Sequence, residues 1–276
     1  MQNVLKKYQQ IRLNKKHLDT LANMAFSLES CAHAKLGSRW LCPELRAPFN
    51  RLYLVRSGSA LLKSGGKEYE MKPGMAYLLP AGLSCGYTCP DEWEKVYFHF
   101  NYLCPDGYDI FWGSEAFGCL PIPEGLLESL VQCLDENSFL DALTLRQSVL
   151  QMVTAFVKEA GMGRTLVPNY SEIVQDTILY IRDHLSARLH IDQLAQRCFV
   201  SKTHLTETFR KETGITLGRY IDEQLMLEAQ RRLCHTKDTI SNISRDLGFS
   251  DQFYFSRRFV QLCGMTPRLY RSNTHL

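Results

Sequence analysis

One stretch constrains this chain more than any other: residues 198–271, where a helical pattern is written twice, about fifty residues apart. The first copy reads Leu194-Ala195, then Ser201, Leu205, Phe209 and Gly214. The second reads Ile243-Ser244, then Asp251, Phe255, Phe259 and Gly264. From Leu205 to Gly214 the spacings match those from Phe255 to Gly264, residue for residue. Each copy reads as a short helix, a tight turn and a longer helix, which is helix-turn-helix arithmetic. A duplicated unit of this kind is a device for reading DNA.

The 276-residue chain has room for two domains, each with its own core. Residues 171–276 carry fifteen Lys and Arg against twelve Asp and Glu, whereas residues 1–170 carry seventeen of each. The whole net charge of +3 therefore belongs to the helical part, a mild excess that permits nucleic-acid binding without demanding it. Ten cysteines are scattered through apolar runs rather than packed as in a short secreted scaffold. The opening Met1-Gln2-Asn3-Val4-Leu5-Lys6-Lys7-Tyr8 has no apolar core of a signal peptide, and no run approaches roughly 18 apolar residues. The expectation is a soluble, cytoplasmic protein with reduced thiols.

Residues 1–20 are polar and basic and read as an arm with little structure of its own. From about 21 to 112 turn signals recur at nearly equal intervals: Ser57-Gly58, Gly65-Gly66, Pro73-Gly74 and Ala81-Gly82. Short apolar segments lie between them, which predicts a meander closing into a small barrel or jelly roll. Residues 94–102 add a strand with Val96, Phe98 and Phe100 on one face and Lys95, Tyr97 and His99 on the other. Around 123–160 the period becomes helical, with Leu126, Leu127, Leu130, Val131 and Leu134 on one stripe and Leu145, Val149, Met152, Val153 and Phe156 on another. Two antiparallel helices joined near Glu136-Asn137 would cap the barrel or form a dimer interface. Residues 163–170 read as a linker. Beyond them everything is helical, with Ser171, Asp192, Ser201, Thr216, Thr239 and Thr266-Pro267 as predicted helix starts. The helix after Thr216 repeats Leu217, Ile221, Leu225, Ala229 and Leu233, and is long enough to join the two units rigidly.

In a helix-turn-helix the second helix enters the major groove. With Leu205 and Phe209 inward, Lys202, Thr203, Thr206, Glu207 and Arg210 fall on the open face. With Phe255 and Phe259 inward, the second helix offers Gln252, Phe253, Tyr254, Ser256, Arg257 and Arg258. Gln252 suits adenine and Arg257 guanine, while Ser201, Thr203 and Ser256 suit phosphates. A charged, solvated helix face looks much the same one helix at a time; the duplication is what favours the DNA reading.

These residues also resemble the AraC/XylS family of transcription regulators, over about 171–271. The second half carries the more specific likeness: Ile243-Ser244-Arg245-Asp246-Leu247-Gly248-Phe249-Ser250-Asp251-Gln252-Phe253-Tyr254-Phe255-Ser256-Arg257-Arg258-Phe259, then Gly264-Met265-Thr266-Pro267-Arg268-Leu269-Tyr270-Arg271. The first half is looser, and its turn has Cys198 where the second has Gly248. Short Thr203 and Thr206 predict a weaker first reader. The resemblance implies two recognition helices presented to major-groove faces about one helical turn apart. It also implies that the N-terminal part is a cupin-like barrel holding a small effector, often a sugar, with neighbouring helices pairing two chains. By position Tyr87, Lys95 and Tyr97 would line that pocket, with Arg39, Trp40 and Arg46 as further candidates. Aromatic faces with a few cationic and hydroxyl groups suit a carbohydrate-like ligand; the plainer alternative is that the tyrosines fill the interior.

The expected architecture is α+β: an arm (1–20), a cupin-like effector-binding and dimerisation domain (21–162), a linker (163–170) and an all-α double helix-turn-helix domain (171–276). The expected partners are double-stranded DNA, a small effector, a second copy through 123–160 and, for an activator, RNA polymerase, for which no residue pattern marks a surface. No cofactor or metal is expected. There is no His-x-His, and residues 50–60 hold no histidine, which argues against a metal-dependent cupin enzyme. No nucleophile elbow, phosphate-binding loop or dinucleotide motif occurs. The alternatives are a regulator that needs no effector and a thiol sensor built on Cys85 and Cys89.

Overall fold

The computed structural model describes residues 14–38, 41–163 and 170–274. After a short helix α1 (Lys15–Ala22) come nine strands: β1 (Ala25–Leu36), β2 (Leu41–Arg46), β3 (Asn50–Gly58), β4 (Ala60–Ser64), β5 (Lys67–Met71), β6 (Met75–Leu79), β7 (Ser84–Thr88), β8 (Trp93–Leu103) and β9 (Gly118–Pro121). They form two antiparallel sheets, ordered β1-β8-β3-β6-β9 and β2-β7-β4-β5. The sheets pack face to face, as in a double-sheet jelly roll. Alternation sorts the side chains of the larger sheet. Tyr53, Val55, Tyr77, Leu79 and Trp93 turn inward to meet Ala60, Leu62, Cys85 and Tyr87 of the smaller one. Leu52, Leu54, Ala76, Leu78, Val96, Phe98 and Phe100 turn outward.

That outer face is covered by α2 (Leu126–Glu136) and α3 (Phe139–Lys158). The two helical stripes read from the sequence are the buried ones, with Leu127, Leu130, Leu145, Val149, Met152, Val153 and Phe156 all in one cluster with the sheet. Asn137 sits between the helices at φ 51°, a left-handed conformation that Asn tolerates better than most residues. Ser138 then caps α3 in a capping box with Asp141. Three expectations need correction here. The arm is helical from Lys15, because Lys, Leu and Ala are good helix formers and no Gly or Pro interrupts the turn. Strand β9 lies past the predicted β region, which ended near residue 112, whereas β1 falls inside it; β1 itself reads Ala-Phe-Ser-Leu-Glu-Ser-Cys-Ala-His-Ala-Lys-Leu, without sustained alternation, and its pairing to β8 is what makes it a strand.

The helical domain comprises α4 (Glu172–Asp183), α5 (Ile191–Arg197), α6 (Lys202–Thr213), α7 (Leu217–His235), α8 (Ile240–Asp246), α9 (Gln252–Cys263) and α10 (Pro267–Thr274). The seven-residue α5 and α8 are too short to persist alone. They are held by burial of Leu194 and Ala195 in one and Ile243 and Ser244 in the other. Side chains of Ser201, Thr216, Thr239 and Asp251 accept from backbone N–H groups three residues on, closing the first turns of α6, α7, α8 and α9. The third correction concerns Asp192, which lies inside α5; His190 holds the cap position, and its N–H donates to Gln193 Oε1 at 3.4 Å.

The two domains share one core. The apolar cluster of the sandwich interior runs without a break into that of α4–α10. Tyr270 of α10 donates from its hydroxyl to the Arg46 carbonyl at 2.9 Å, and the His235 ring at the end of α7 lies 4.8 Å from that of Phe49.

Candidate nucleic-acid interface and sandwich interior

The two helix-turn-helix units superimpose in pattern but not in length. In the first, Phe199 N–H donates to Gln196 O and Val200 N–H to Ala195 O; in the second, Gly248 N–H donates to Arg245 O and Phe249 N–H to Ser244 O. These bonds make Phe199 the counterpart of Gly248, not Cys198, whose φ is −81°. Phe199 at φ 55° and Gly248 at φ 80° both occupy the left-handed region. The mistaken pairing came from carrying the spacing of α6 and α9 back through the turn, which holds one residue more in the second copy. Only Gly248 is also tightly enclosed: an added Cβ would lie 2.1 Å from Ser186 Oγ. Phe199 is 96% exposed.

Beyond the turns the recognition helices α6 and α9 repeat one exposure pattern, broken only where half-buried Glu212 answers to exposed Leu262. Lys202, Thr203, Glu207 and Arg210 are exposed on the first; Gln252, Phe253, Tyr254 and Arg257 are exposed on the second, Phe253 at 77%. His204, exposed at the position matching Tyr254, belongs to the same face and was missed, although the repeat itself would have found it. Three expected readers are occupied within the protein. Lys202 Nζ lies 3.0 Å from Asp192 Oδ2. Thr206 donates its hydroxyl back to the carbonyls of Lys202 and Thr203, each at 3.0 Å. Arg258, half-buried, pairs with Asp222 of α7, so it is turned to the linking helix rather than the open face. Ser256 is half-buried beside Arg257. Ser201 and Asp251 serve as caps, and the Tyr254 N–H at 2.7 Å holds the Asp251 carboxyl below its usual range.

Inside the sandwich, Tyr87 and Lys95 are buried and Tyr97 is half-buried; Lys95 and Tyr97 share one face of β8, and Tyr87 comes from β7 of the facing sheet. Lys95 Nζ lies 3.7 Å from the ring centre of Tyr53 and 4.0 Å from that of Trp93, cation–π contacts in a dry setting. Arg51, also buried, donates to the Leu83 carbonyl at 3.2 Å and to Cys85 Sγ at 2.8 Å. Burial, then the charges of Arg51 and Lys95, pushes His99 well below the usual histidine value. Arg51, Tyr53 and His99 were missed; His99 shares the Lys95–Tyr97 face by strand parity, and Arg51 the same face as Tyr53. Of the other candidates, Arg46 is exposed at the end of β2, and Arg39 and Trp40 lie outside the described residues. Burial raises the Cys31 and Cys89 thiols, the reverse of what a reactive thiolate needs. Among the described residues no group of His, Cys, Asp and Glu could hold a metal ion, and no helix is long and apolar enough to cross a membrane.

Residues 194–273 match the family model described as a helix-turn-helix domain. Regulatory protein SoxS of Escherichia coli is 38% identical over 103 residues, spanning 37% of this chain and 96% of that relative. The chain belongs to the AraC/XylS family of transcription regulators. The family likeness is not confined to the helical domain. The arabinose operon regulatory protein of Salmonella typhimurium is 26% identical over 244 residues, covering 80% of this chain and 83% of that protein. The fold of ToxT from Vibrio cholerae, solved with an unsaturated fatty acid bound, is shared over 90% of this chain and 95% of that one, at a TM-score of 0.51 and 10% identity. As an AraC/XylS regulator the protein binds DNA, and its relatives are regulators rather than enzymes.

Proposed function

We propose that this AraC/XylS regulator binds its operator unequally through its two recognition helices and responds to a small, polar, carbohydrate-like effector held inside the sheet sandwich. Gln252 and Arg257 supply base contacts, Thr203 and Ser256 phosphate contacts, and α6 contributes less because Lys202 and Thr206 are engaged within the protein. The effector reading is supported by one observation above the rest: a run of rings leads from the interior to the helix joining the two readers. His99 lies 6.4 Å from Tyr53 and 4.7 Å from Phe49, which lies 4.8 Å from His235 of α7. A ligand held by Lys95, Tyr87, Tyr97 and Arg51 would bear on that run. The arabinose regulator's name makes genes of carbohydrate use the natural target. Phe139, Leu140 and Leu143, exposed at the start of α3, would meet a second copy.

Selection from random duplexes with the full-length protein tests the DNA reading, and one dominant motif is expected. A thermal-shift panel of sugars and sugar acids tests the sensor. A ligand at 100 times its dissociation constant adds about 2.7 kcal/mol, and Lys95→Met should abolish the shift. Silence across the panel would favour a regulator that needs no effector.

A further inference from the structure

We propose a second small-molecule site, outside the sandwich, that takes an organic cation in the cleft between the two domains. The segment 104–113 after β8 faces the first turns of α7 across a cleft of about 320 Å³. That is at the small end of ligand sites, which run to about 300–1,000 Å³. Tyr108, Trp112 and Tyr220 give it aromatic walls, and among the described lining residues Asp106 and Glu223 give two carboxylates against the cation of Arg219. Trp112, 37% exposed, lies 5.2 Å from Tyr108 between ring centres, tilted by 36°; Tyr220 meets Tyr108 edge-on at 5.8 Å. The close approach is built in. Gly107 has φ +78°, and a Cβ there would lie 2.5 Å from the Tyr220 hydroxyl, which donates to the Asp106 carbonyl at 2.9 Å.

The polar groups of this cleft already engage one another. Tyr108 donates to Glu223 Oε2 at 2.7 Å, and Arg219 Nε donates to Glu223 Oε1 at 2.8 Å. A neutral polyol would have to compete for those bonds. What the cleft still offers is π-faces and a negative field, the pair of features that attracts an ammonium or quaternary ammonium group. The field is visible on the phenols: burial first, then Glu223 and Asp106, raise Tyr108, and burial with Asp106 raises Tyr220. A cation there would touch the sheet domain and α7 together, and so fix how the readers are presented. The site is independent of whether the sandwich interior holds an effector.

The test titrates the full-length protein with choline, tetramethylammonium and putrescine, followed by calorimetry and tryptophan fluorescence. At least one should bind saturably. Trp112→Ala should weaken it roughly ten-fold, and choline's uncharged carbon isostere should bind weaker by a similar factor. Arg219→Gln, at an exposed side chain, should strengthen binding several-fold by leaving Glu223 uncompensated, a change no structural role of Arg219 explains. Lys95→Met should leave it unaltered. No binding by any of the three at about 10 mM, equal binding of the uncharged isostere, or indifference to both Trp112→Ala and Arg219→Gln would overturn the proposal.

Discussion

Phe199 and Gly248 do the same conformational job with opposite suitability. A left-handed residue bearing a Cβ costs about 1–2 kcal/mol, and glycine's extra freedom when unfolded costs about 0.5–1 kcal/mol. Phe199 is so exposed that its replacement forfeits no burial. Phe199→Gly should therefore stabilise the protein by roughly 0.5–1 kcal/mol, read from urea unfolding. Gly248→Ala should destabilise it by at least about 2 kcal/mol, because backbone strain adds to the collision with Ser186. His99 carries a pH effect whose sign follows from its depressed value. It stays neutral in the folded protein while the unfolded chain takes up a proton near its ordinary value of about 6.5. Stability from this residue is thus complete above about pH 6.5 and falls as pH drops, by up to about 1.4 kcal/mol per pH unit. Urea midpoints between pH 7.5 and about 5.5 check it, and His99→Gln should flatten that slope.

At the scale of elements, the recognition helices show how much a repeat can say. Their caps and buried pairs agree, so Ser201→Ala and Asp251→Ala should each cost about 1 kcal/mol. Their reading faces differ in what is left for DNA. Arg257→Ala should cost about 1–3 kcal/mol and relax preference at one operator position, whereas Arg258→Ala, removing a side chain held by Asp222, should lower affinity without changing the motif. Binding selection with each variant separates the two. The alternation of β8 and the stripes of α2 and α3 were legible because each sorts its side chains with a regular period. β1 was not, since its strand character comes from eleven partners on β8 rather than from its own residues.

At the scale of the molecule, the two domains are joined by specific bonds as well as by the chain. Tyr220→Phe with Tyr108→Phe removes two hydrogen bonds across the junction, each worth about 0.5–1.5 kcal/mol net. Calorimetry of that double variant should show the single unfolding transition broadening or splitting in two, while the isolated secondary-structure signals stay intact. Gly107→Ala should act in the same direction by wedging the segment 104–113 away from α7.

The sequence by itself determined the double helix-turn-helix, the buried faces of its helices, the jelly-roll class of the N-terminal part and the family. The first three rest on local periodicity, on caps and on spacing, and the family on the resemblance carried by residues 243–271; all are written along the chain. Tertiary structure alone decided that Phe199 rather than Cys198 answers to Gly248, that Arg258 turns to Asp222, and that Arg51 joins Lys95 in the interior. It alone decided that residues 104–113 meet α7. Those outcomes depend on one extra residue in a turn and on side chains far apart in the chain, 36 positions for Arg258 and Asp222 and 115 for Tyr108 and Glu223. No periodic pattern encodes such meetings, because each is fixed by how whole elements dock.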